Sequence, residues 1–111
     1  MIEQRRSKRF ELELPLEIIR AGTERLSEVV RTSNIGSGGV MFTSPRQLEI
    51  GSPIEYAVTL ASGHSGVVTL RCMGKVLRAE GAYDPDAENN WFSVAVSLER
   101  YEFTRSSTQS V

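Results

Sequence analysis

Phe92, Val94, Val96 and Leu98 alternate with Trp91, Ser93, Ala95 and Ser97. A period of two puts one set of side chains on each face of an extended strand, so such a run has one buried face and one exposed face. The same period recurs along the chain. Phe10, Leu12, Leu14, Leu16 and Ile18 alternate with Glu11, Glu13, Pro15 and Glu17, and Ile54, Tyr56, Val58 and Leu60 alternate with Glu55, Ala57 and Thr59. Val68, Leu70, Cys72 and Val76 keep one parity against Thr69, Arg71, Met73 and Lys75, with Gly74 the expected site of a bulge. Pro15 has no amide hydrogen to give to a ladder, so the first run should be an edge or bulged there. Residues 40–43 form a shorter apolar run that Ser44 and Pro45 end. Residues 25–32 read as a further strand after the turn Ala21-Gly22-Thr23, although Leu26, Val29 and Val30 also suit a short helix. Six strands with no helix required between them predict an antiparallel all-β barrel or sandwich, since parallel strands need long crossovers.

A chain of 111 residues has room for one modest core. Hydrophobic residues at 40% and charged residues at 24% are ordinary globular usage, which argues against disorder and against a membrane class. The net charge of -1 argues against a general nucleic-acid binder, for which a basic surface is needed. Its one cysteine, Cys72, allows no intrachain disulfide and falls on the apolar parity of its strand, where it reads as an inert core residue. No run approaches the ~18 apolar residues of a membrane span, and the N-terminal residues have no signal-peptide character. These features predict a cytoplasmic protein without membrane insertion.

Two stretches depart from the strand pattern. In Asn34-Ile35-Gly36-Ser37-Gly38-Gly39, three glycines in four positions mean either left-handed backbone angles or a close approach that a Cβ would block. The stretch reads as a turn poised to touch a ligand, or as a hairpin turn with no ligand at all. In Arg5-Arg6-Ser7-Lys8-Arg9, four positive charges fall in five residues just before the first apolar run. In a chain of near-neutral charge such a cluster is a solvated tail or a local anion site.

Together the two stretches resemble the PilZ family, which carries Arg-x-x-x-Arg ahead of its first strand and Asp/Asn-x-Ser-x-x-Gly some 20 to 30 residues later. Arg5 and Arg9 match the first motif, and Asn34 and Gly39 match the ends of the second. Gly36 stands where the family usually has Ser. The resemblance implies a six-stranded antiparallel barrel of the split-barrel type over residues 10–103, preceded by an Arg-rich arm at 1–9 and followed by a polar tail at 104–111. A C-terminal helix, common in the family, should be short or absent.

The resemblance further implies a receptor, not an enzyme, with cyclic di-GMP as ligand, no cofactor, and an unidentified downstream protein partner. The ligand site would comprise Arg5, Arg6, Arg9, Asn34, Gly36, Ser37, Gly38 and Gly39. Arginine suits this ligand because its planar fork binds phosphate and also stacks on a guanine. Ser37, one residue beyond the usual Ser, could reach the same ligand group. The alternative is a PilZ-like barrel that has lost the nucleotide and serves as a protein-interaction module.

Catalytic chemistry finds no support in the residues. His64 lies in a glycine-flanked loop with no second histidine in the chain to help build a zinc site. Ile35 occupies the position where a nucleophile elbow around Ser37 needs glycine, and Met41 stands at the third glycine position of a dinucleotide fingerprint. Asp84, Asp86 and Glu88 alternate like the start of a calcium loop but lack its glycine and terminal glutamate, so residues 81–90 read as a solvated acidic loop.

Overall fold

The computed structural model describes residues 9–64, 66–82 and 91–106. All regular structure in it is strand: β1 (Arg9–Phe10), β2 (Pro15–Ala21), β3 (Glu24–Gly36), β4 (Gly39–Ser44), β5 (Pro53–Gly63), β6 (Gly66–Ala82), β7 (Trp91–Ser97) and β8 (Arg100–Ser106). Strands β3, β2, β5, β6, β7 and β4 pair in that order, and β4 pairs again with β3, so six antiparallel strands close into a barrel. Closure removes the open edges that an isolated sheet would present. β1 adds to β3, and β8 adds to β6.

The inward parity supplies the core. Leu16, Ile18, Phe42, Tyr56, Val58, Cys72, Val76, Val94 and Val96 are each 0–1% exposed. Tyr56 and Cys72 are register partners in the β5–β6 ladder, and the phenol donates to the backbone carbonyl of Ser97 at 3.0 Å. Burial raises the pKa of that phenol, with Cys72 adding to the shift, and burial also pushes the Cys72 thiol up to about 11 although the neighbouring Tyr56 hydroxyl pulls the other way. A thiol held protonated is a poor nucleophile, in keeping with a packing role for Cys72.

Three features differ from the sequence reading. The alternation from Phe10 to Ile18 is not one strand: the chain leaves the ladder over residues 11–14 and re-enters it at Pro15, and Phe10 and Leu12 are exposed. Thr32 explains the break. Its buried hydroxyl accepts from the Leu14 amide at 2.9 Å and donates to the Leu12 carbonyl, drawing the chain aside where the proline could not donate. Residues 25–32 are strand as expected, within the 13-residue β3, and the helical alternative does not hold.

Gly74 is not the bulge. The register slips between Val76 and Arg78, making Leu77 the extra residue. Gly74 is glycine for another reason, because a Cβ there would come 1.9 Å from the Ser97 carbonyl oxygen. At that point β6 changes partner from β8 to β7, and the β7–β8 junction crosses directly over it; the amide of Glu99 bonds the Met73 carbonyl at 2.9 Å. Finally, β8 continues the line of β7 along β6 as far as Ser106, where the sequence reading expected no strand.

Candidate functional site

β3 and β4 form a tight hairpin in which Gly36 pairs with Gly39 and the chain turns through Ser37 and Gly38. None of the three glycines has positive φ, a conformation found at Gly22, Gly51 and Gly66 and at Ser27. Close approach explains Gly39 instead: a Cβ on it would lie 2.3 Å from the Val96 carbonyl oxygen of β7. The tip is further tied to the β7–β8 junction by the Leu98 amide, which donates to the Gly38 carbonyl at 3.1 Å.

The ladder sets two adjacent rows across the outer face beside this hairpin. One row runs Asn34, Met41, Ala95, Arg78 through β3, β4, β7 and β6. The next runs Arg9, Gly36, Gly39, Ser97. Gly36, Gly39 and Ala95 in these rows leave a hollow of about 220 Å³, lined by Asn34, Gly36, Gly38, Gly39, Met41, Leu77, Arg78 and Ala95 among others. Pockets that enclose a whole drug-sized ligand hold roughly 300–1,000 Å³, so this one suits a single phosphate or base of a larger molecule. No carboxylate lines it among the described residues, whereas a larger hollow of about 410 Å³ near Gly22 mixes Arg20, Lys75 and Arg100 with Glu55 and Glu99. Charge therefore favours an anion at the smaller site.

The bulge is what brings Arg78 there. Without the extra residue at Leu77, position 78 would keep the inward parity of Val76; with it, Arg78 pairs with Ala95 on the outer face and Ala79 turns to the core. The sequence reading missed Leu77 and Arg78. The signal was present in Val76-Leu77-Arg78-Ala79, where a charge falls on the apolar parity and only a slip of register can keep it out of the core.

Of the residues expected at the site, Asn34, Gly36, Gly38 and Gly39 line the hollow. Ser37 is exposed at the tip and is not among the lining residues. Arg9 is brought in by its backbone, which pairs with Gly36. Arg5 and Arg6 lie outside the described residues, as do Asp84, Asp86 and Glu88 of the acidic loop. His64 is exposed in the β5–β6 turn, and no group of three His, Cys, Asp or Glu side chains suited to a metal occurs among the described residues.

A profile of the PilZ domain matches residues 3–103, which takes in the arm, the hairpin and all six strands of the barrel. The chain belongs to the PilZ family. PilZ domains are regulatory binding domains, and the family is one of cyclic di-GMP receptors. Among solved structures, the Bacillus subtilis inhibitor of motility (MotI/DgrA) is similar, with a TM-score of 0.60 and 18% identity over 86% of this chain and 43% of that one. The likeness is one of fold, and this PilZ chain spans less than half the length of that neighbour. A search of curated proteins found no match. No helix among the described residues is long and apolar enough to cross a membrane.

Proposed function

We propose that this PilZ domain is a cytoplasmic receptor for cyclic di-GMP that passes the signal to a protein partner. The observation that supports the reading is the pairing of Arg9, the last residue of the Arg-x-x-x-Arg motif, with Gly36 of the Asn34–Gly39 hairpin, beside a hollow with a cationic wall at Arg78. Arg5 and Arg9 bind phosphate and stack on guanine, Asn34 meets a base edge, Gly36 marks the position of the family's Ser, and Gly38 and Gly39 let the ligand lie close to the backbone. Arg78 adds a second source of charge-assisted hydrogen bonds from the opposite side. The hollow is too small for a whole dinucleotide, so the arm supplies the rest of the enclosure. Arm closure on the ligand is the event a partner would sense.

Gly36 favours a second reading. With no hydroxyl where the family usually has Ser, one ligand hydrogen bond is lost, worth about 0.5–1.5 kcal/mol, or about 1.5–3 kcal/mol if the acceptor is charged. A barrel weakened in this way could act through protein contacts alone. Isothermal titration with cyclic di-GMP, with cyclic di-AMP and GTP as controls, separates the two: saturable heat for cyclic di-GMP alone supports the receptor, and none with a folded protein supports the interaction module.

A further inference from the structure

β8 uses one edge to pair with Val67–Met73 of β6, and among the described residues no strand lies on its other edge. Tyr101 and Phe103 stand opposite Cys72 and Leu70, on the face that elsewhere forms the core, yet they are 60% and 64% exposed. Their rings meet edge to face at 6.0 Å. An open edge with an apolar face is an invitation to pair with another strand, and native sheets usually blunt it with proline, charged side chains (lysine above all) or a bulge. β8, Arg-Tyr-Glu-Phe-Thr-Arg-Ser, has no proline, lysine or bulge, and its charges at Arg100, Glu102 and Arg105 leave Tyr101 and Phe103 together on one face.

We infer that β8 is a dimer edge, pairing antiparallel with β8 of a second copy of this chain about a two-fold axis at Phe103. The sequence of the strand selects that occupant and that register. Residues directly opposite must share a face, so the axis has to pass through a residue. At Glu102 it would oppose two like charges. At Tyr101 it would set Phe103 against Glu99 and leave the end of the strand unpaired. At Phe103 all seven residues pair: Phe103 meets its own copy, each Tyr101 meets an Arg105 cation, each Glu102 meets Thr104, and each Arg100 lies opposite Ser106. In that register no like charges oppose, and the exposed Phe103 of one copy covers that of the other with Tyr101 and Arg105 beside it, which is what favours a second copy as the occupant. The inference is independent of nucleotide binding.

Sedimentation equilibrium over a concentration series tests it. The 111-residue chain should move from 12.3 kDa toward twice that mass, and Phe103→Lys should shift the midpoint at least tenfold higher while the thermal melt at low concentration stays unchanged. Phe103→Cys should cross-link under mild oxidation and Tyr101→Cys should not, since only position 103 faces its copy within disulfide reach. Cys72 is fully buried and does not compete. A wild-type chain that remains at 12.3 kDa throughout overturns the proposal, as does a dimer that Phe103→Lys leaves intact or in which Tyr101→Cys cross-links instead.

Discussion

Arg9 and Gly36 are register partners across the β1–β3 ladder. They stand 27 positions apart in sequence, and each belongs to a different half of the paired PilZ motif. Their pairing sets Arg9 beside the hairpin, and Gly36 at that contact is the position where the family pattern can be tested.

Gly36 has no positive φ, so a side chain costs nothing in backbone conformation there. Gly36→Ser should fold normally and tighten cyclic di-GMP binding by about 2- to 10-fold, the worth of one hydrogen bond. Titration beside the wild type, with a melt of each, checks it. Weaker binding in a folded variant would mean that the ligand needs the bare backbone.

Arg78 is exposed and makes no ion pair with a described residue, so removing it should leave the fold alone. Arg78→Ala should weaken cyclic di-GMP binding by about 1.5–3 kcal/mol, the usual worth of a charged hydrogen bond, with the melt unchanged. Arg78→Lys should recover only part, because the ammonium lacks the planar fork. Equal affinities for all three proteins would remove Arg78 from the site.

Much of this was legible in the sequence, and what was not has physical causes. Alternation fixed which faces of β5, β6 and β7 are buried, because a closed barrel leaves each strand one wet face and one dry face. Alternation failed at Phe10 and Leu12, whose spacing is correct but whose backbone is diverted by the Thr32 hydroxyl, a contact 20 residues away in sequence. It also missed β8, since Tyr101 and Phe103 have a strand's period but no layer to cover them. The glycine turn pointed to the site, whereas Arg78 reaches it only through a bulge that shows in the β6–β7 register.

Two glycines should be intolerant for reasons of space. An alanine at Gly39 or Gly74 would drive its methyl into the backbone carbonyl of Val96 or Ser97, and neither oxygen is the end of a flexible side chain. Each substitution should cost about 1–3 kcal/mol or more, the scale of overpacking, read as a lower urea midpoint with an unchanged slope. Gly81→Ala, with nothing near the added Cβ, is the control and should be close to neutral.

The buried thiol predicts alkaline sensitivity. Cys72 has an ordinary value of 9.0 and is pushed up to about 11 in the fold, so between those values the unfolded chain has released a proton that the folded one keeps. Stability is full below pH 9 and falls by about 1.4 kcal/mol per pH unit above it from this group, with Tyr56 adding to the loss at higher pH because burial raises it too. Urea melts from pH 8 to 11 should show the decline, and Cys72→Ala, though less stable throughout, should show a shallower one. Parallel slopes in the two proteins would assign the loss to other groups.

The most direct test is a cyclic di-GMP titration of the wild type beside Arg9→Ala, with a thermal melt of each free protein. A saturable heat in the wild type that Arg9→Ala abolishes, at matched melting temperatures, is the predicted result. A folded wild type that takes up no nucleotide, or an Arg9→Ala variant that binds as tightly as its parent, would contradict the account.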